Sequence, residues 1–290
     1  MHGQVQGRTT VQETFSFVVF GDPQMHNDIA RGVIERAARE EAAFCLILGD
    51  LVNDANDPSQ WTRFREISEP LRARSPVYTV PGNHDYQFGG LTEHYRAYGH
   101  SGETSYCFGY GGCRFVMLDT FLDGDLSETR KADEGTFLHG SDQYRWLEET
   151  LEAARRDGET IFVGLHHPIF MATSLYFSTS PTIRVDETAE PHTLGNLLPL
   201  LAQYDAQMVF GGHIHVYEHC VYREIDFVTT GAAGFELFRP EETANGYRVR
   251  AEARYHYCRV TVSASQVVLE AVDVEGMVFD RIERQRKSEG

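Results

Sequence analysis

Five times along this chain, a short apolar run ends in a cluster of oxygen- or imidazole-bearing residues, and this repetition limits the possible folds more than any other feature. Phe15–Phe20 leads into Gly21-Asp22-Pro23-Gln24, and Phe44–Leu48 into Gly49-Asp50-Leu51-Val52-Asn53-Asp54. Val77–Val80 leads into Gly82-Asn83-His84-Asp85, Ile161–Leu165 into His166-His167-Pro168, and Met208–Phe210 into Gly211-Gly212-His213-Ile214-His215. Apolar runs this short, bounded by glycine and proline, read as buried strands. In an open α/β sheet the carboxyl ends of strands are where ligands bind. A single Asp after a strand is more often a helix cap and a lone His a structural residue. Capping needs do not generate five such clusters in succession.

The segments between the runs fit an α/β class. Helical spacing of apolar residues predicts helices over Ile29–Ala43, Pro58–Ala73 and Ser141–Arg156, with another near Leu194–Tyr204. Ser105–Tyr110 and Arg114–Leu118 read as a hairpin turned by a Gly-rich stretch. After His219 the pattern changes to strands without helices, including Val221–Ile225, Phe227–Thr230, Tyr255–Val262 and Val267–Val274, which predicts an antiparallel closing section and a second sheet packed on the first. No Pro/Gly/Ser-rich linker or internal repeat divides the chain, so residues 15–290 are expected to form a single domain after a flexible polar segment, residues 1–14. Two long polar stretches, Thr120–Gly140 and Thr173–Asn196, are candidate pocket walls.

Charge and composition exclude some functions. A formal net charge of -17 opposes long-range attraction to nucleic acid or to an anionic membrane surface, although bound cations can make one pocket locally positive. The five cysteines never form a Cys-x-x-Cys pair and suggest neither a disulfide framework nor a zinc ribbon; Cys107 and Cys113 flank the hairpin turn and are expected to stay reduced. No apolar run approaches the ~20 residues that span a bilayer, and residues 1–14 lack the hydrophobic stretch of a signal peptide. The cytoplasm is therefore the default location, and a processed, secreted form is equally compatible.

In their order and spacing the five clusters resemble the signature of the calcineurin-like metallophosphoesterases: Asp-x-His, Gly-Asp, Gly-Asn-His-Asp/Glu, His, Gly-His-x-His. The resemblance runs from about Phe15 to the final strands and implies a four-layer αββα sandwich of two mixed β-sheets flanked by helices. It also implies two divalent or trivalent metal ions, Mn, Fe or Zn. Asp22 and His215 would hold one, Asn83, His166 and His213 the other, and Asp50 would bridge them. Carboxylate, amide oxygen and imidazole are donors suited to these metals. His84 matches the family histidine that lies beside the metals without binding them, placed to protonate the leaving alcohol or to stabilise charge on the phosphoryl oxygens, and His167 stands next to the ligand position, supporting it or lining the pocket.

Two positions depart from the family pattern. Gln24 stands where many relatives have His, so the first metal would lose an imidazole and gain at most an amide oxygen; Asp-Pro-Gln is found in a branch of the family that includes a eukaryotic serine/threonine protein phosphatase. His26, two residues on, is a candidate to compensate. Asn53 stands where several relatives place an Asp that orients the catalytic histidine and where purple acid phosphatases place a metal-binding Tyr. A purple ferric–tyrosinate site is therefore not expected, despite the family-like Tyr217-Glu218. A neutral Asn53 would also stabilise a protonated His84 less than Asp does unless Asp54 reaches it.

The resemblance implies a metal-dependent phosphoesterase in which a hydroxide bridging two metals attacks phosphorus and His84 acts as general acid. The substrate would be a small phosphorylated molecule or a phosphoprotein. A phosphomonoester is preferred over a phosphodiester such as a cyclic nucleotide, because the sequence has no recognisable base-binding motif. The rival from another class is a non-catalytic metal-binding scaffold on the same fold, and the retained His84 weighs against it. A nuclease is disfavoured by the charge and the lack of a Lys/Arg stripe.

Overall fold

Strands that are apolar on both faces must be covered on both sides, and the chain meets this need with two sheets stacked between helices. The computed structural model describes residues 4–5, 14–25, 27–87, 90–91, 95, 103–121, 137, 139–170, 194–241 and 246–287. In chain order its strands are β1 (Gln4–Val5), β2 (Phe15–Phe20), β3 (Cys45–Ile47), β4 (Val77–Thr79), β5 (Tyr86–Gln87), β6 (Gly90–Leu91), β7 (Tyr106–Tyr110) and β8 (Cys113–Leu118). They continue with β9 (Thr160–Leu165), β10 (Met208–Gly211), β11 (Tyr217–Tyr222), β12 (Ile225–Thr230), β13 (Arg248–Glu252), β14 (His256–Val262), β15 (Gln266–Asp273) and β16 (Val278–Gln285). The helices are α1 (Asp28–Ala37), α2 (Pro58–Arg72), α3 (Asp142–Arg156) and α4 (Leu197–Gln203).

One sheet has the order β16-β15-β14-β2-β3-β4 and the other β1-β7-β8-β9-β10-β12-β11-β13. Each contains a parallel block extended by antiparallel strands: β2-β3-β4 forms one side of the first sheet, ending at its edge, and β8-β9-β10-β12 forms the middle of the second. The mixed two-sheet, helix-flanked architecture expected from the resemblance is therefore present. The antiparallel closing strands do not form a sheet of their own: β14–β16 extend the first sheet, and β11 and β13 extend the second. Within residues 1–14, Gln4–Val5 pairs in parallel with Cys107–Phe108 as a short edge strand.

Between the sheets lies an aromatic core. Phe17 stacks on Phe44 at 5.2 Å, Phe44 meets Phe115 edge-on at 4.9 Å, and Phe115 stacks on Phe162 at 5.1 Å. All four are essentially fully buried, and such burial stabilises by about 1.5–3 kcal/mol per ring. The helices cover the outer faces. Asn27 caps α1 by accepting from Ala30 N, and Ala30, Val33, Ile34 and Ala37 form its buried stripe. Asp57 caps α2 with Pro58 at its first turn, and Ser141 caps α3.

Two element boundaries differ from the sequence-based expectation. α1 stops at Ala37 instead of Ala43, because the chain has to reverse into β3 and does so with Glu41 at φ 50°. The strand expected over Val221–Ile225 is divided by a hairpin turn: Val221 and Tyr222 end β11, which begins four residues earlier at Tyr217, Ile225 opens β12, and Arg223 and Glu224 between them both take positive φ, 45° and 61°. Apolar residues flank this turn, and neither turn residue is the Gly or Asn that signals a primed turn. Around the other hairpin, Gly111 and Gly112 do supply the turn, at φ 62° and 69°, and all five cysteines are free thiols. Among the described residues no helix is long and apolar enough to cross a membrane.

Candidate metal centre

All five ligand-type clusters lie at the carboxyl ends of parallel strands, three after β2, β3 and β4 of one sheet and two after β9 and β10 of the other. The two sheets are joined at this end, where Gly21 N, after β2, donates to Thr230 O of β12 at 2.8 Å, and within the first sheet Asp22 N donates to Gly49 O at 3.1 Å. The backbone is bent sharply here. Asp22, Asp50 and His213 have φ of 64°, 53° and 66°, a left-handed conformation costing about 1–2 kcal/mol per residue. The glycines allow the close approach. A Cβ on Gly82 would lie 2.1 Å from Asp50 Oδ1, and one on Gly212 would lie 2.8 Å from Asp22 Oδ2.

The structure brings Asp22, Gln24, Asp50, Asn83, His166, His213 and His215 together. Asp50 Oδ1 accepts from His84 N at 2.8 Å and lies 3.5 Å from His166 Nε2. Asp22 accepts from His213 N at 2.9 Å and lies 3.5 Å from His215 Nε2. Asn83 Oδ1 sits 2.9 Å from His166 Nε2 and 3.0 Å from His213 Nδ1. A ring nitrogen of His167 lies within 4.8 Å of those of His166 and His213, and its Nδ1 is 2.7 Å from Thr120 Oγ1. His167 is thus part of the imidazole group rather than only its neighbour.

These contacts test whether cations fit. His166 Nδ1 lies 2.7 Å from Leu48 O and His215 Nδ1 lies 3.1 Å from Glu236 O. A carbonyl only accepts, so in both rings Nδ1 carries the proton and Nε2 keeps a lone pair directed into the cluster. Burial keeps the imidazoles neutral, pushing His166 and His213 well below the usual histidine range and His215 down to about 4. The Nε2 lone pair of His166 therefore faces the amide oxygen of Asn83, an acceptor against an acceptor, unless a positive centre lies between them. Ligands sharing one ion at bonds of about 2.0–2.2 Å come as close to each other as these atoms do. Asp22 points the same way, since burial raises its carboxyl well above the usual range against the opposing His213 N–H, and a nearby cation would remove that cost. The donor set fits metal ions.

His84 is placed differently from the expectation. Its Nδ1 lies 2.8 Å from the backbone carbonyl of Asn53, so the main chain orients the ring rather than the side chain at position 53. Asn53 is exposed, and Asp54 Oδ1 is engaged with Asn56 N at 3.0 Å within its own loop. Asp85 is structural, accepting from Gly82 N at 2.8 Å and Leu51 N at 2.9 Å. Tyr217 and Glu218 are structural as well: Tyr217 donates to Asp280 at 2.6 Å, and Glu218 pairs with Arg248 at 2.8 Å. His26 lies outside the described residues, as does most of the two candidate pocket walls.

The sequence reading missed the segment after β12. Phe235 and Phe238 lie 4.5 Å and 4.6 Å from the His215 ring, while Glu236 O fixes its tautomer. The signal that could have revealed it is Gly231-Ala232-Ala233-Gly234, a run of small residues directly after a strand end.

A family model for calcineurin-like phosphoesterases matches residues 15–217, from β2 through the last histidine cluster to the start of β11. The chain belongs to the calcineurin-like phosphoesterase family. Among its relatives in that family, purple acid phosphatase 22 of Arabidopsis thaliana is 28% identical over 187 residues, covering 60% of this chain and 38% of the relative. The serine/threonine-protein phosphatase CPPED1 of Mus musculus is 25% identical over 223 residues, covering 73% of this chain and 66% of the relative. The chain spans less than half the length of the first plant relatives, 38% and 45%. Calcineurin-like folds also match in solved structures. A purple acid phosphatase from yellow lupin (Lupinus luteus) seeds superposes with a TM-score of 0.75 at 18% identity over 95% of this chain and 54% of that one. A dimetal phosphatase from Danio rerio gives 0.60 at 15% identity over 94% and 99%.

Proposed function

We propose that this calcineurin-like protein is a metal-dependent phosphoesterase acting on phosphomonoesters, with Asp22, Asp50, Asn83, His166, His213 and His215 as metal ligands and His84 as general acid. The observation that carries the reading is the convergence on Asn83 Oδ1 of His166 Nε2 at 2.9 Å and His213 Nδ1 at 3.0 Å, with the far nitrogen of His166 locked on Leu48 O. When bound, two divalent or trivalent ions of the Mn, Fe or Zn type would generate hydroxide near neutral pH and clamp the phosphoryl oxygens.

The chain's own residues supply the remainder. Asp22 and Asp50 are the anionic charges of the cluster, and with two divalent ions and one hydroxide they leave it about one unit positive, which attracts phosphate to a protein of net charge -17. The Asn53 carbonyl holds Nδ1–H of His84, so Nε2 is the nitrogen available to give a proton to the leaving alkoxide. Asp50 accepts from His84 N at 2.8 Å and so ties the acid's loop to the bridging carboxylate. The relatives named as phosphatases support the monoester preference. A small phosphorylated molecule or a phosphoprotein is the substrate in this reading, and the net charge of -17, which opposes nucleic acid, supports it.

The test compares metal-loaded protein on nitrophenyl phosphate and bis(nitrophenyl) phosphate. Faster turnover of the monoester supports the reading. Preference for the diester moves it to a phosphodiesterase of cyclic nucleotides or other small diesters.

A further inference from the structure

The carbonyl that holds His84 is itself held, by a side chain from outside the ligand clusters. Asn53 O belongs to the peptide group whose N–H is that of Asp54, and this N–H donates to Gln60 Oε1 at 3.0 Å. The preceding amide, Asn53 N, donates to the same oxygen at 2.9 Å. Two N–H donors require the oxygen of the Gln60 amide, which fixes its orientation, and Nε2 lies 3.4 Å from Asp57 Oδ2. A peptide group is planar, so holding the N–H of the 53–54 peptide also sets the direction of its carbonyl. That carbonyl meets His84 Nδ1 at 2.8 Å, and an N–H already bonded makes its own C=O a stronger acceptor.

We infer that Gln60 is a positioning residue for the general acid, acting on His84 through the 53–54 peptide; the inference rests on the reading of His84 as the proton donor. Gln60 is the third residue of α2 after the cap Asp57, where a Gln ordinarily reaches back to the amide of the capping residue. Here Asp57 N donates to Asp54 O at 3.1 Å, which leaves Gln60 Oε1 for the two earlier amides. The neighbouring Trp61, 1% exposed, donates Nε1–H to Ala55 O at 2.9 Å. The first turn of α2 therefore grips the loop on both sides of the carbonyl of Asn53, and the buried stripe of Trp61, Phe64, Ile67 and Leu71 fixes the helix itself. A proton donor is effective only when held within hydrogen-bond reach of the leaving oxygen, and this chain of contacts holds the His84 ring in one orientation.

Full-length protein loaded with Mn²⁺ is assayed on glycerol 1-phosphate, whose alkoxide needs a proton to leave, and on nitrophenyl phosphate, whose phenolate needs it far less. His84→Ala is the benchmark and should slow the alkyl ester about a hundredfold or more and the nitrophenyl ester much less. Gln60→Met should lower kcat on the alkyl ester about tenfold with KM within about twofold, and change kcat on the nitrophenyl ester by no more than about twofold. Gln60→Glu, which keeps an acceptor oxygen, should recover the alkyl ester rate to within about threefold. In metal-free protein the Asp54 amide hydrogen should be protected from exchange, and Gln60→Met should release it about tenfold faster. That protection in the wild type keeps the inference testable if Gln60→Met fails to fold, and an unprotected Asp54 amide would overturn it. Equal slowing of both esters by Gln60→Met, or no slowing of either, would overturn the inference and leave the phosphoesterase reading in place. Equal slowing of both by His84→Ala would overturn the general-acid reading and the inference with it.

Discussion

His84 Nδ1 is held by the backbone carbonyl of Asn53 at 2.8 Å, a contact that any residue at position 53 can make. The exposed Asn53 side chain is therefore not what orients the His84 ring. Asn53→Asp and Asn53→Ala should both keep kcat within about twofold of wild type with an unchanged pH–rate profile, since surface substitutions away from specific contacts usually have small effects. Asn53→Pro, which constrains this backbone, should lower kcat more than KM. A large loss in Asn53→Ala would show that the side chain matters after all.

Burial predicts the pH response of the metal-free protein. His215 and His256 are both pushed down to about 4 by burial, against about 6.5 in the unfolded chain. Below pH 6.5 the unfolded state therefore binds more protons than the folded one. Each histidine contributes stability that is fully present above about 6.5 and is lost as pH falls toward 4, on the order of 3 kcal/mol at most. Asp22 runs the other way: its raised carboxyl adds stability at acid pH that is lost as pH rises above about 3.9. A cation should relieve that cost. Melting curves should show Tm falling between pH 6.5 and 4 without metal, and Mn²⁺ raising Tm more at pH 7 than at pH 5. His256→Asn should flatten part of the slope. A Tm independent of pH over this range would contradict the assignment.

Gly82 has no room for a side chain. A Cβ there would lie 2.1 Å from Asp50 Oδ1 and 2.4 Å from Asp50 N, and backbone atoms cannot step aside cheaply. Gly82→Ala should displace Asp50 and the following Asn83-His84, losing at least one bound ion per chain and most activity. Overpacking of this kind also costs about 1–3 kcal/mol of stability. Metal counting and a denaturant titration check both effects.

Arg286 ties the opposite end of the sandwich together. It donates to Gly111 O and Gly112 O at 2.8 Å, to Thr160 Oγ1 at 2.8 Å and to Ser263 O at 3.0 Å, joining the β7–β8 turn of one sheet to the β14–β15 turn of the other. Arg286→Ala should cost about 1.5–3 kcal/mol, the range for hydrogen bonds to a charged group, with metal content and kcat unchanged. Urea unfolding measures the first and the enzyme assay the second. Loss of bound metal in this variant would show that the two ends are coupled.

The cluster was legible in the sequence because its carboxylates, amide and imidazoles are side chains of distinctive kinds, and Asp22, Asp50, Asn83, His166, His213 and His215 each follow a run that strand periodicity alone identifies. Contacts made by the main chain leave no such trace. That the Asn53 carbonyl holds His84, or that Glu236 O sets the tautomer of His215, depends on where backbones pass and not on which side chains they carry. The Arg223-Glu224 turn was missed for a related reason: hairpin pairing from Tyr217 to Thr230 forces both residues to positive φ against their preference. The sheet joined by β14–β16 was hidden because antiparallel strands late in a chain can extend either sheet, and only the register of Cys258–Val262 against Phe15–Val19 decides.

Titrating metal-stripped protein with Mn²⁺ while following both bound ion and nitrophenyl phosphate hydrolysis tests the central claim most directly. The account predicts saturable turnover that appears as the second ion is bound, and its loss in Asp50→Ala, the residue between the two positions. Absence of turnover at full occupancy with Mn²⁺, Fe²⁺ and Zn²⁺ alike would contradict it.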